Sequence, residues 1–346
     1  MPDIISSVKV SQLIKDPILT GFSVQVAKSG LPVMYVGGFS MVFPMTKQTE
    51  KWAMKVWHTE IKYVKERYKE VSNYLVNKNT DYFANFTYVE KGLLVNGQVL
   101  GISRMRWVEG SLLKDFIKEN LKNKNKLIEF TDNLLALIIE LHKQLISHGD
   151  LQHGNIIIQK NGDIKLVDYD SICIPSLEGR HEFVTGLKGY QHPSRFTIYK
   201  CSIKADYFSE LIIYLSVLAI VENPELWNKY QVNDTEVLLF SQDDFHNFKQ
   251  STIKKDLANL SPKIKWLTSI LESYLEKSDF RTLQPFYSYI DIPPQPPPKP
   301  PLLPQPEPSP QPKSISKVGL SLILIIITLC VGLFYIYQAV TKNPDN

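Results

Sequence analysis

The sequence predicts an α+β fold in two lobes: a small β-rich lobe carrying one helix, then a larger helical lobe. One apolar helix of membrane-spanning length is predicted near the C-terminal end. Three observations carry this. Residues of about 20 to 105 hold β-branched and aromatic runs broken by short turns. After residue 110 apolar residues recur at helical spacing. Residues 318–340 contain no charged side chain.

Taken in order, "PVMYVGGFSMVFPM" and "KWAMKVWH" read as a strand pair around the turn "TKQTE". "IKYVKERYKEVSNYLVN" reads as an amphipathic helix, apolar at positions 61, 64, 68, 71 and 75. "FTYVEKGLLVNGQVLGISRMRWV" reads as two strands joined at "NGQ". A connection over residues 105–110 leads to "SLLKDFIKENL", "LIEFTDNLLALIIELHKQL", "ADYFSELIIYLSVLAIV" and "PKIKWLTSILESYLEK", all helical in spacing. The stretch "SHGDLQHGNIIIQKNGDIKLVDYDS" interrupts them with two short aliphatic strands. The expected boundaries are a small lobe over 20–105 and a large lobe over 111–290, within one domain of residues 1–290. A crevice between two lobes is a natural ligand site.

Residues 291–317 form a proline-rich linker. Twelve of the 22 prolines fall in residues 293–312, and proline can neither continue a helix nor donate to a sheet. Those twenty residues make an extended spacer of roughly 60 Å at about 3.1 Å per residue. A plain spacer is the first reading, and a docking segment for an SH3-like partner is the alternative. The span 318–340 has the length of a transmembrane helix, Tyr335 and Tyr337 suit an interface, and residues 341–346 form a short tail. Lys313 and Lys317 precede the span and Lys342 follows it, which orients the large domain toward the cytoplasm. The opening residues show no apolar leader of signal-peptide type. Three widely spaced cysteines argue against a disulfide framework and for a reducing compartment. The expected localisation is a tail-anchored, single-pass membrane protein. Net charge is +4 with lysines spread along the chain, so nucleic acid is not an expected partner.

The stretch 147–171 collects Asp150, Asn155, Asp168 and Asp170 at the ends of two aliphatic strands. Oxygen donors gathered this way suit a hard divalent cation. Here a resemblance enters. "HGDLQHGN" resembles the protein-kinase catalytic-loop pattern H-x-D-x-x-x-x-N, "VDYD" stands where that family has D-F-G, and "WAMKVW" resembles its V-A-I-K strand. "YVGGFSMVF" resembles the glycine-rich loop, "GYQHPSR" the end of the activation segment, and "ADYFSELIIYL" the long central helix that starts at Asp206. Six matches in the family's order make the chain similar to the protein-kinase-like superfamily over residues of about 30 to 285.

The resemblance implies a two-lobed protein-kinase-like fold and an enzyme that uses ATP and Mg²⁺ to phosphorylate a protein, with a serine or threonine acceptor expected. It implies that Asp150 takes the acceptor proton, and that Asn155 and Asp168 hold the metal. It implies that Lys55 holds phosphate and pairs with a helix glutamate, Glu66 or Glu70, with Glu66 preferred. Gly37 and Gly38 would approach phosphate, and Val42 and Ala53 would cover adenine. Met105 would guard the pocket, and the backbone of Arg106, Trp107 and Val108 would meet adenine. Asp170, in place of the family's glycine, reads equally as a further metal ligand or as a cap for the next turn. Several positions depart from the family. Tyr35 and Ser40 stand where loop glycines are usual, Gly149 replaces an arginine, Gln152 replaces a lysine, and the late glutamate that would pair with Arg281 is missing. Ser171, Ser176 and Thr185 are the hydroxyls of the activation segment. These departures keep two alternatives: a nucleotide-binding pseudokinase scaffold, and a small-molecule phosphotransferase of the aminoglycoside or choline type.

Overall fold

The computed structural model describes residues 1–59, 63–78 and 81–289. The proline-rich linker, the span 318–340 and the tail lie outside the described residues. Among the described residues no helix is long and apolar enough to cross a membrane.

The small lobe opens with helix α1 (Pro2–Val8) and strands β1 (Ser23–Val24), β2 (Tyr35–Val36), β3 (Ser40–Lys47) and β4 (Glu50–Trp57). Helix α2 (Val64–Lys78) and strands β5 (Phe86–Val95) and β6 (Gln98–Arg106) complete it. The strands form one antiparallel sheet ordered β1-β3-β4-β6-β5, with β2 on β3. Local chemistry sets the turns. Asn96 and Gly97 both take positive φ (48° and 80°) between β5 and β6, the conformation that matches the twist of paired strands. On α2, Tyr68, Val71 and Leu75 are buried, as the apolar spacing predicts. Position 61 lies outside the described residues.

The lobe starts earlier than residue 20. Ile4, Val8, Ile14 and Leu19 join Phe43, Met54 and Leu93 in a core on one face of the sheet. Asp16 is fully buried and accepts two 2.7 Å bonds from Arg104 on β6, so the opening segment is part of the sheet's covering.

The large lobe contains β7 (Ser111–Leu112), α3 (Leu113–Glu119), α4 (Lys124–Lys143), β8 (Ile156–Ile158) and β9 (Ile164–Leu166). Then come α5 (Arg195–Ile198), α6 (Tyr207–Glu222), α7 (Glu225–Lys229), α8 (Gln242–His246), α9 (Thr252–Leu257) and α10 (Pro262–Leu275). The four helices expected here all form. Two of them start at a short polar cap: Asn123 accepts from Lys126 N at α4, and Ser261 from Ile264 N at α10, where Pro262 holds the first position. Helix α6 is buried nearly all round, which fits its almost unbroken apolar composition. Strands β7, β8 and β9 make a small antiparallel sheet. At the open end of its antiparallel β8–β9 hairpin, the loop that enters β8 and the segment that leaves β9 lie side by side, joined by Val167 N donating to Asn155 O at 3.0 Å.

Candidate active site

Asp206, 1% exposed at the start of α6, fixes the catalytic loop from below. One carboxylate oxygen accepts from Ser147 Oγ at 3.0 Å and from His148 N, and the other from Gly149 N at 2.9 Å. His148 is fully buried and its Nε2–H donates to Val167 O at 2.9 Å, tying the loop to the end of β9. Charge-assisted bonds to main-chain amides hold a loop more firmly than neutral ones. Gly149 has φ 77°, and a Cβ there would lie 2.1 Å from Ser171 O, so only glycine fits.

On this base sits Asp150. Its Oδ1 accepts from Leu187 N at 2.8 Å, and its Oδ2 from Asn155 Nδ2 at 3.2 Å. Burial pushes its carboxyl up and the Leu187 amide opposes that, leaving it at about 6. A carboxylate near neutrality is suited to accepting a proton. Asn155 also donates to Asp150 O at 2.8 Å. With its amide nitrogen so engaged, its oxygen is left to serve as an acceptor.

Asp168 follows β9 with φ 68°, a left-handed conformation that aspartate tolerates better than most residues. Tyr169 turns the other way. It is 3% exposed, packs on Phe86 with ring centroids 4.6 Å apart, and its hydroxyl donates to Leu166 O at 2.9 Å. With the ring locked in the core, Asp168 and Asp170 both face Lys55 of β4. Lys55 Nζ lies 2.6 Å from Asp168 Oδ1 and 2.6 Å from Asp170 Oδ2. Burial works against the Lys55 charge, but the two carboxylates outweigh it and hold the ammonium above its ordinary range. Burial likewise works to raise the Asp168 carboxyl, and Lys55 overrides it to leave that group below the usual range. Asp170 is held above it by burial.

The structure thus brings together Lys55, Asp150, Asn155 and Asp168. It does not bring the helix glutamates to Lys55. Glu66 is exposed, and Glu70 is bound by Arg180 at 2.9 Å and Ser176 Oγ at 2.9 Å. The reason is helical phase. Tyr68 lies two residues from each glutamate and so projects from the opposite side of α2. That side faces the site, and the Tyr68 hydroxyl donates to Asp170 Oδ1. By spacing alone Tyr68 is one more apolar position of the helix. Its hydroxyl in an otherwise aliphatic stripe was the available signal for a polar role.

The remaining expected residues line the crevice unevenly. Val42 pairs with Lys55 across β3 and β4, and Ala53 pairs with Met105 across β4 and β6. Ala53 is buried, and Val42, Met105 and Val108 are half-buried. The Trp107 amide donates to Lys51 O at 3.2 Å, so it is not free for adenine, because the strand pairing continues past β6. Gly37 and Gly38 are exposed between β2 and β3. The Gly37 amide donates to Ser40 O at 2.9 Å, and a Cβ on Gly38 would meet nothing within 4 Å.

A protein kinase domain model matches residues 36–281. The chain belongs to the protein kinase domain family. Two curated relatives are probable serine/threonine-protein kinases of Dictyostelium discoideum. To mkcF it is 28% identical over 85 residues, which is 25% of this chain and 12% of that protein. To mkcD it is 29% identical over 115 residues, which is 33% of this chain and 18% of that protein. The aligned stretches therefore span less than a fifth of either relative.

Against that family the departures acquire physical form. Gln152 folds back to accept from Gly154 N at 2.8 Å, so its side chain stays within the loop. Arg281 pairs with Asp279 at 2.6 Å. Ser194, at the missing glutamate, accepts from Phe280 N at 3.0 Å and bonds His192 Nδ1 at 2.8 Å, so a neutral bond fastens the end of the activation segment. Ser171 is 1% exposed and donates to Val184 O, so of the three hydroxyls expected there it is enclosed, while Ser176 is exposed. One buried ion pair leaves no mark in the local sequence pattern. Arg195, fully buried, lies 2.6 Å from Glu182 Oε1 and donates to Gly149 O and Gln191 Oε1 at 2.7 Å each.

Proposed function

We propose that this protein transfers the γ-phosphoryl group of ATP, with Mg²⁺, to a serine or threonine hydroxyl of a protein, from a membrane-anchored position with the kinase domain in the cytoplasm. The observation that carries the catalytic part is the Lys55–Asp168 contact across the lobes beside the Asp150–Asn155 pair. The donor set fits a divalent cation. Asp168 has one oxygen on Lys55 and a side chain 46% exposed to the crevice, and Asn155 has its amide nitrogen turned onto Asp150. Mg²⁺ takes few protein ligands and completes its shell with phosphate oxygens, so Asn155 and Asp168 suffice on the protein side.

Bound Mg·ATP supplies the phosphoryl group and neutralises its charge. Everything else falls to the chain. Asp150 orients the acceptor hydroxyl and takes its proton at a carboxylate oxygen. Lys55 holds phosphate oxygens from the β4 side. Asp206 keeps the loop in register, and the amide of Leu187 holds Asp150 in its rotamer.

The membrane part rests on the uncharged span 318–340 and its flanking lysines. The proline-rich linker acts as a spacer, with a protein partner as its other use.

The experiment is ³²P transfer from γ-labelled ATP with Mg²⁺ by the detergent-solubilised full chain, wild type beside Asp150→Ala, followed by phosphoamino-acid analysis. Labelled phosphoserine or phosphothreonine, lost in the variant, supports the reading. Label on no protein, or undiminished label in Asp150→Ala, refutes it. For the anchor, the full chain should stay with membranes through an alkaline wash while a chain lacking residues 313–346 is released. A truncated chain that still pellets would refute the single anchor.

A further inference from the structure

We propose that Asp170, and not a glutamate of α2, is the residue that positions Lys55 for phosphate, with Tyr68 holding Asp170 in turn. This rests on the reading of Lys55 as the phosphate-holding lysine.

Three features point the same way. First, the contact is short and sheltered: Lys55 Nζ to Asp170 Oδ2 is 2.6 Å, with side-chain exposures of 10% and 11%. Second, Asp170 is itself pinned. The Tyr68 hydroxyl donates to its other oxygen, and Tyr68 is 2% exposed, wedged edge-on against Trp57 and Phe86. A tyrosine so enclosed keeps its proton, because burial next to carboxylates opposes ionisation. It therefore remains a donor. Third, the glutamates are elsewhere. Glu70 is held by Arg180 and Ser176, and Glu66, which lines the same cavity as Asp170, is exposed, while the ion pairs of Lys55 go to Asp168 and Asp170.

The two carboxylates have different tasks. If Asp168 turns to a divalent cation, Lys55 loses that contact, and a buried ammonium needs a partner that holds its direction as well as its charge. Asp170 supplies the partner that stays. The lysine is then set by the segment after β9, and α2 contributes through a hydroxyl rather than a charge. The competing role for Asp170 is as a further metal ligand, and the two roles differ in what they do to Mg²⁺.

The test uses the purified full chain and its variants Asp170→Asn, Tyr68→Phe, Glu66→Gln and Glu70→Gln. A fluorescent ATP analogue is titrated with EDTA and with Mg²⁺, and phosphate transfer is measured against Mg²⁺ concentration. Asp170→Asn should weaken nucleotide binding about tenfold with and without Mg²⁺, with the Mg²⁺ midpoint moving less than about threefold. Tyr68→Phe should move the same quantities about threefold. Glu66→Gln and Glu70→Gln should stay within about twofold of wild type. Three results overturn the proposal: a Mg²⁺ midpoint displaced more than about tenfold with EDTA binding unchanged, a Glu66→Gln loss equal to that of Asp170→Asn, or Asp170→Asn binding nucleotide like wild type. Should Asp170→Asn fail to fold, Tyr68→Phe decides: unchanged EDTA binding there overturns the proposal. A wild-type chain that transfers no phosphate, but whose nucleotide binding still falls in Asp170→Asn, refutes the kinase mechanism and leaves the Lys55–Asp170 assignment standing.

Discussion

Asp206→Ala should cost this protein a large part of its stability, and the structure indicates how much. The substitution removes the acceptor of three donors at once: Ser147 Oγ, His148 N and Gly149 N. Ser147 and His148 are 1% and 0% exposed, so water does not readily replace the lost partner. Each buried donor left unpaired costs about 1–3 kcal/mol, and sharing of one relaxed cavity brings the sum to about 4–7 kcal/mol. A domain is typically stable by about 5–15 kcal/mol. With a urea slope of about 3 kcal/mol per molar for a domain of this size, the midpoint should fall by about 1.3–2.3 M. Asp206→Asn keeps one oxygen acceptor. It should lose about 2–3 kcal/mol, the value of one charge-assisted bond and part of a second. The assay is urea unfolding of the full chain followed by far-UV circular dichroism, with phosphate transfer per folded molecule measured alongside. For Asp206→Asn, kcat should fall more than nucleotide affinity, because the displaced residues are His148 and Gly149 beside the base and not the Lys55 side of the crevice. A midpoint for Asp206→Ala within about 0.3 M of wild type would refute the view that this carboxylate is what holds the loop.

Other outcomes follow from the same structure. Glu182→Ala leaves Arg195 charged and fully enclosed, which should cost about 3–5 kcal/mol in urea unfolding, while Glu182→Gln, which retains an acceptor, should cost less than half of that. The Asp150 carboxyl stands at about 6, above its ordinary value. As the base it must be ionised, so kcat/KM should be level above that pH and fall with unit slope as the pH drops through it. A limb centred near 4 would show that Asp150 is not the titrating group. Gly149→Ala places a Cβ 2.1 Å from Ser171 O at positive φ. It should destabilise by at least about 2 kcal/mol and lower kcat, as read by unfolding and by single-turnover transfer.

Most of the site was legible because its residues sit at fixed offsets in one loop and one hairpin. His148, Asp150, Asn155 and Asp168 are near neighbours in the chain, and short strands with a tight turn leave them one way to meet. The core of the small lobe was legible from alternation and the Asn96–Gly97 turn. What local pattern could not supply was the rotation of α2. Glu66 and Glu70 advertise charge, while Tyr68 reads as an apolar position, and which face turns inward is decided by Trp57, Phe86 and Tyr169 arriving from other elements. The Glu182–Arg195 pair was illegible for the same reason, since twelve residues of irregular chain separate two side chains that only the folded activation segment brings together. Asp16 escaped notice because a lone acid before the first strand gives no sign that Arg104, 88 residues on, will enclose it.

Gly149 also bears on how such a molecule can change over generations. The position beside the base is closed to every side chain, since the Ser171 carbonyl occupies the space a Cβ would need. An arginine cannot be sampled there by a single substitution without first moving the strand-like segment 171–173, which pairs with Ser147. Arg195 meanwhile already delivers a guanidinium to the Gly149 carbonyl from the other direction. The loop thus receives its guanidinium from α5, while position 149 itself has no room for a side chain. Any replacement at 149 must therefore be preceded by a shift of segment 171–173, which makes the glycine a ratchet rather than a neutral gap.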